Sequence, residues 1–210
     1  MNVLSSFQSL FSRPGRFEMA AHKPIPEGTT LRTMRTSDQD ACIAIYKENE
    51  AGNFPEGFLG EFELFLRNPS YLKLVLCLED SPVAIGGIGW ALNWRKSHAW
   101  LIFGMVTPYL QRQGLGAALL LARLSAISKP LFPVTISMTN VETSASYYSR
   151  YGFLNTGKTQ TSQPTFKMPR SSVRLNSESW RQCREGLERL GLTSPIEKVP
   201  VMGINLSKTP

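Results

Sequence analysis

Cysteine and histidine are scarce in this chain. Cys42, Cys77 and Cys183 are its three cysteines, and His22 and His98 its two histidines. Their wide spacing fits neither a disulfide framework nor a zinc site. Long apolar runs are missing too: none approaches the roughly eighteen residues that a membrane span needs. No N-terminal stretch joins an apolar core to a signal-type cleavage site. These absences lead to the expectation of a soluble, cytoplasmic protein without stable membrane association. Acid is thin as well, with 16 Asp and Glu against 23 Lys and Arg and a formal net charge of +7. The cations are dispersed. Their densest groups are Arg32/Arg35, Arg95/Lys96 and the stretch from Arg170 to Arg189, the last interleaved with Glu178, Glu185 and Glu188. Without a block of like charge, an RNP-type pattern or a helix-turn-helix, the reading is no nucleic-acid partner. A modest positive field does favour a small phosphorylated ligand.

What is present suits one α/β domain, since 210 residues at 42% hydrophobic can bury a sizeable core. The strongest local pattern runs from Val106 through Pro108, Gln111, Arg112 and Gly114 to Gly116 and Ala117. Ahead of it, His98 to Val106 is apolar and rich in aromatic and β-branched residues, as a buried strand should be. After it, Leu115 to Ile127 is apolar nearly all round, as a buried helix should be. A helix leaves its first N–H groups without intrahelical partners, and Gly114 and Gly116 remove the side chains that would hold a phosphate away from them. The turn therefore suits a pyrophosphate. It is not a P-loop, because no Lys follows Gly116, and two glycines fall short of the three in the dinucleotide fingerprint.

A second pattern is Tyr147-Tyr148-Ser149-Arg150-Tyr151-Gly152-Phe153, a helix end with a glycine suited to the left-handed C-cap. Pro133 to Thr139 alternates like a strand before it, and Asn140 opens a polar turn into the helix. Together the two patterns resemble the GNAT acyltransferase superfamily. Its motif A, Gln/Arg-x-x-Gly-x-Gly/Ala after a strand ending in Val-x-Pro, is matched by Val106, Pro108, Gln111, Gly114 and Gly116. Its Tyr-x-x-x-Gly-Phe helix end is matched by Tyr148, Gly152 and Phe153. Gln111-Arg112 replaces the usual Arg-Gly and adds a cation beside the phosphates. Val141 stands where the family usually has Asn, with Asn140 one place earlier.

The rest of the chain fits the same order. Residues 1–28 read as an N-terminal amphipathic arm and linker: Val3, Leu4, Phe7, Leu10 and Phe11 recur at helical spacing, and Pro14-Gly15 ends the pattern. Docking on the domain or on a second subunit, and a weak transit-like or membrane-surface role, are both open to such an arm. Residues 29–210 then form the domain. Thr29 to Arg35 alternates, Ser37-Asp38 caps a helix through Tyr46, and Glu61 to Arg67 is a second helix. Leu72 to Leu78 and Val83 to Leu92 are strands joined by a hairpin turn at Glu79 to Pro82. Gly86, Gly87 and Gly89 in the latter point to a bulge or to close approach of another chain or ligand. A helical insertion is expected at about 157–198. Thr156 to Pro169 reads as loop or irregular hairpin, and a helix capped by Ser177 carries Trp180, Cys183, Leu187 and Leu190 on one stripe. Val199 to Leu206 reads as the last strand.

The resemblance implies an α/β (α+β) GNAT fold: a mixed central sheet of six to seven strands with flanking helices, splayed between strands four and five. It implies an N-acetyltransferase that moves an acetyl group from acetyl-CoA to a primary amine by direct attack in a ternary complex. Its implied cofactor-binding residues are Met105, Val106, Thr107, Gln111, Arg112, Gln113, Gly114, Leu115, Gly116, Ala117 and Asn140, with Gly104 admitting the pantetheine arm. A backbone N–H near Met105 or Val106 would stabilise the oxyanion, and Tyr148 would protonate or hydrogen-bond the leaving thiolate. Glu61, with Glu56 and Glu63, is the candidate general base, and a water chain is the other route. No metal is implied. Phe54 and Phe58 favour a small-molecule amine over a protein amine, and a homodimer is possible. The alternatives are a non-catalytic acyl-CoA-binding sensor or scaffold, and an RNA- or membrane-associated protein using the basic surface and the arm.

Overall fold

Glu79 and Asp80 both adopt positive φ, at 49° and 63°, the geometry of a two-residue hairpin turn whose twist matches its flanking strands. In the computed structural model, which describes residues 17, 23–51, 53–93, 96–127, 133–163 and 166–193, this turn joins the second and third of seven strands. In chain order the elements are β1 (Thr30–Thr33), a 3-10 turn (Thr36–Asp38), α1 (Gln39–Glu50), α2 (Leu59–Arg67), β2 (Leu72–Leu78), β3 (Ser81–Asn93) and β4 (Lys96–Val106). A second 3-10 turn (Pro108–Leu110) leads to α3 (Leu115–Ser125), β5 (Val134–Thr139), α4 (Glu142–Ser149), β6 (Leu154–Gln163), β7 (Phe166–Leu175) and α5 (Ser177–Arg189).

One mixed sheet holds all seven strands in the order β1-β2-β3-β4-β5-β7-β6. Only β4 and β5 pair in parallel. Successive side chains on a strand face opposite ways, and β2 shows the result: Leu74 and Leu76 join one buried cluster, Val75 and Cys77 the other. The first cluster packs beneath α3 and α5, the second beneath α1 and α2. Every residue of α3 but Gly116 is buried, as its all-round apolar sequence requires. No helix among the described residues is long and apolar enough to cross a membrane.

After Phe153, of the two readings of Thr156 to Pro169 it is the irregular hairpin that forms, and its second strand runs on to Leu175 before the expected helix begins. Leu154–Gln163 and Phe166–Leu175 form an irregular hairpin whose second strand pairs with β5 from Val134↔Leu175 to Thr139↔Arg170. The physical reason is that β5 would otherwise be an open edge, and alternation through Val173 and Leu175 lets β7 cover it. Helix α5 follows as expected, but its N-cap is Asn176, not Ser177: Asn176 Oδ1 accepts from Ser179 N at 2.8 Å. Cys183 and Leu187 are buried, and Trp180 Nε1 donates to Ile127 O at 2.6 Å, tying α5 to the end of α3. Val199 to Leu206 and nearly all of the arm lie outside the described residues. Phe17 is an exception, buried and stacked on Tyr151 at 6.5 Å between ring centroids.

Candidate functional site

β4 and β5 pair through only three positions, His98↔Thr135, Ala99↔Ile136 and Trp100↔Ser137. Beyond them the strands part, although β4 continues to Val106 and β5 to Thr139. A bulge sharpens the parting on the β3 side. Ile85 faces Met105 and Gly87 faces Ile102, so Phe103 and Gly104 together oppose Gly86. Phe103 has φ 47°, a left-handed conformation that costs a residue with a Cβ about 1–2 kcal/mol. The bulge re-aims its side chain into a cluster with Phe62 and Phe65, both 5.1 Å away between centroids, and with Phe54 and Phe58, both at 6.0 Å.

The strand then runs into the glycine turn. Arg112 and Gly114 have φ 63° and 80°, and Gly114 also lies under the chain at Lys23 to Ile25, where a Cβ would come within 3.0 Å of Lys23 O. No side chain caps α3, and its first backbone bond is Ala118 N to Gly114 O at 3.0 Å. The N–H groups of Leu115, Gly116 and Ala117 therefore lack intrahelical acceptors, and the helix dipole adds positive potential there.

The splay and the turn open into one cavity of about 900 Å³. Its walls are β4 from Leu101 to Val106 on one side, and Met138 to Val141 with Ser144, Tyr147 and Tyr148 on the other. Lys23, Arg112, Arg123 and Arg150 line it, whereas no Asp, Glu, His or Cys is among the described residues that do. Such a cavity attracts anions. The three cysteines are buried elsewhere, and burial pushes the Cys42 thiol up to about 12, so none is placed to serve as a nucleophile here.

Of the residues singled out from sequence, Met105, Val106, Gln111, Arg112, Gly114, Gly116, Ala117, Asn140 and Tyr148 line this cavity. Thr107, Gln113, Leu115 and Glu61 do not. Thr107 is buried and its hydroxyl donates to Glu48. Gln113 is exposed and donates to Tyr109 O at 3.3 Å. The Leu115 side chain is in the core, and Glu61 stands exposed on the first turn of α2. Asn140 is held in place, its Oδ1 accepting from Ser171 Oγ at 3.0 Å and its Nδ2 donating to Val141 O at 3.1 Å. Tyr147 has a buried hydroxyl with no partner within hydrogen-bond geometry among the described residues, against Gly116, and burial raises its pKa well above the ordinary tyrosine value. Gly152, with φ 82°, ends α4 as expected, and Phe153 N donates back to Tyr148 O at 3.3 Å.

A bulge, one of the two expected readings of the strand glycines, lies between Ile85 and Gly87, and the side chains around them supply the rest of the explanation. A Cβ on Gly104 would lie 2.7 Å from Arg123 Nη2, and one on Gly86 3.0 Å from Arg123 Cδ. The absent side chain of Gly104 therefore makes room for a guanidinium beside the cavity that Gly104 lines. On Gly87 a Cβ would lie 2.3 Å from the Phe65 ring, and on Gly89 2.9 Å from the Tyr71 ring. The close approach is by the chain's own side chains.

Two further site residues carry no sequence motif. Asn49 is buried; its Nδ2 donates to Ile45 O at 2.8 Å and Val106 O at 3.1 Å, and its Oδ1 accepts from Gln111 Nε2 at 3.1 Å. Gln111 Nε2 also reaches Val106 O at 3.2 Å, so both side chains anchor the end of β4 to the turn. The other is Arg123, only 2% exposed. Each leaves a weaker signal: Asn49 continues the buried stripe of Cys42, Ile45 and Tyr46, and Arg123 is the single cation in an apolar helix.

No protein-family model matches the chain, nor does any curated protein. Solved structures do. The N-acyl amino acid synthase FeeM from uncultured soil microbes is 17% identical with a TM-score of 0.56, over 73% of this chain and 93% of that one. The ribosomal-protein-S18-alanine N-acetyltransferase of Escherichia coli is 22% identical with a TM-score of 0.52, over 70% and 92%. An acetyltransferase of the GNAT family from Streptococcus pneumoniae is 16% identical with a TM-score of 0.52, over 70% and 99%. The chain has the GNAT acetyltransferase fold.

Proposed function

We propose that the protein is an acyl-CoA-dependent N-acyltransferase, passing an acetyl or related acyl group to a small primary amine by direct attack in a ternary complex. One observation carries this reading: the parting of β4 from β5 beside an uncapped helix start, in a cavity whose charged lining residues, among those described, are all cationic. The free N–H groups at Gly116 and Ala117 suit a pyrophosphate, with Arg112, Lys23 and Arg150 as counter-charges. Thr107 N donates to Val83 O on β3, so by alternation the Val106 N–H points to the cleft. There it can pair with the donor's pantetheine or stabilise the oxyanion formed on attack. Asn140 lies on the facing wall, within the same cavity.

Tyr148 is the donor to the departing thiolate in this reading, because it lines the cavity from α4. Water is the route for the amine's proton in this reading, since Glu61 is exposed and does not line the cavity and no carboxylate or imidazole is among the described residues that do. Phe54 extends the cavity wall from the aromatic cluster around Phe103, which suits an acceptor with an apolar part. The neighbours act on different amines by their own names, an amino acid in one and a ribosomal-protein alanine in another. Titration calorimetry with acetyl-CoA, followed by thiol release across a panel of amines, tests the proposal. Absence of binding heat sinks it. Tight binding with no turnover on any amine makes the protein a sensor or scaffold instead.

A further inference from the structure

The Arg123 guanidinium has no counter-ion among the described residues: it forms no ion pair there, and its one side-chain hydrogen bond runs from Nε to Leu119 O at 3.3 Å. At 2% exposure such a group is costly unless something pairs with it. The chain also makes space for it, leaving Gly86 and Gly104 without side chains where the guanidinium crosses the strands. A cation that only filled the core would be replaced by leucine at no loss; this one opens on the cavity.

Its neighbours there limit the ligand. The bond to Leu119 O folds the side chain back one turn, and the guanidinium lies against Gly86 and Gly104 on the strands. The same cavity is lined by Leu101, Leu119 and Met138, all buried and apolar, and by Tyr147, whose buried hydroxyl feels the Arg123 charge. One planar cation among largely apolar walls suits one planar anion on an apolar stem. The fork of a guanidinium matches a carboxylate through two parallel hydrogen bonds.

We infer that Arg123 is a carboxylate-recognition residue within the cleft, determining specificity for a substrate that carries a free carboxylate. The carboxylate can belong to the acyl group of the donor, as in a dicarboxylic acyl-CoA, or to the acceptor, as in an amino acid. The inference rests on the acyl-CoA reading above and names a substrate class for that site.

Two paired comparisons on the full chain test it. The donor arm compares binding of succinyl-CoA with that of butyryl-CoA, which has the same chain length without the second carboxylate. The acceptor arm compares kcat/KM for leucine with that for leucinamide. The expected result is at least a tenfold preference for the carboxylate-bearing member in one arm. That preference should fall to near unity in Arg123→Met and be only partly restored in Arg123→Lys, which keeps the charge and loses the fork. Should Arg123→Met not fold, Gly104→Ala displaces the guanidinium without removing it and should blunt the same preference. Wild-type protein that binds CoA and shows no preference in either arm overturns the carboxylate site and leaves the acyl-CoA reading standing. Failure to bind CoA at all overturns both.

Discussion

Arg123 Nη2 lies 2.7 Å from the point at which Gly104 would carry a Cβ, whereas the same point on Gly87 lies 2.3 Å from the Phe65 ring. The two glycines serve different ends, and alanine substitution should separate them. Phe65 is held among Phe62, Tyr71 and Phe103, so its ring has nowhere to go, and Gly87→Ala should cost about 2 kcal/mol by overpacking. A guanidinium at the end of a flexible chain can swing aside. Gly104→Ala should therefore change stability by less than about 1 kcal/mol while impairing substrate selection. Urea denaturation of both variants decides; equal losses would mean that Gly104 is a packing residue like Gly87.

The adjacent tyrosines of α4 make a second pair with opposite expectations. Tyr148→Phe removes the proposed donor to the leaving thiolate and should lower acyl transfer by about a hundredfold, with little effect on CoA affinity. Tyr147→Phe removes a buried hydroxyl that has no partner within hydrogen-bond geometry among the described residues. Its loss should stabilise the unliganded protein by about 1 kcal/mol and, if the bound donor satisfies that hydroxyl, weaken acetyl-CoA binding roughly fivefold. Thermal melts with and without acetyl-CoA, beside single-turnover rates, assign the two roles. A rate loss confined to Tyr147→Phe would exchange them.

Much of this architecture is legible in the amino-acid sequence, because its signals are local. Glycine, proline and alternation mark the hairpin at Glu79-Asp80, the turn at Gly114 and the C-cap at Gly152, and these features depend mainly on their immediate neighbours. What is not legible depends on distant partners. Nothing within β4 says that Arg123, on the helix beyond the turn, reaches across to Gly104. The outer strands β6 and β7 read only as loop or irregular hairpin for a related reason: a Thr- and Ser-rich sequence has weak periodicity, and it is pairing with β5 that decides its state. Asn49 and Gln111 meet at Val106 from distant parts of the chain, which no spacing rule encodes.

That meeting carries its own prediction. Asn49 Nδ2 donates to two carbonyls, Ile45 O and Val106 O. Asn49→Asp keeps the shape but aims a carboxylate at both, so it should destabilise by about 3 kcal/mol at neutral pH and loosen the end of β4 against the turn. Acid should restore part of the loss, because the protonated carboxyl can donate again. Chemical denaturation at pH 7 and pH 4 reads the difference; a pH-independent loss would argue that Asn49 acts through packing alone.

Arg32 and Asp38 give the last prediction, on stability and not on chemistry. Arg32 Nη1 and Nη2 reach Asp38 Oδ2 and Oδ1 at 2.6 and 3.0 Å, and Arg35 N donates to Oδ2 at 2.6 Å. The Arg32 guanidinium, followed by the backbone bond from Arg35, holds the Asp38 carboxyl below its ordinary pKa against the opposing effect of burial. A depressed carboxylate stabilises the fold above its unfolded pKa of about 3.9, and that contribution is lost as pH falls through the lower folded value. Asp38→Asn removes the charge at every pH. It should cost about 3 kcal/mol at pH 7, as expected for breaking a largely buried pair. Below about pH 4 the carboxylate of the unfolded chain begins to protonate while the folded one stays ionised, so the gap between the two proteins should narrow, and it closes only as pH falls through the lower folded value. Urea melts at pH 7, 4 and 2.5 follow that gap. A gap that stays constant into acid would mean that the hydrogen bonds to Asp38, and not its charge, hold β1 to the start of α1.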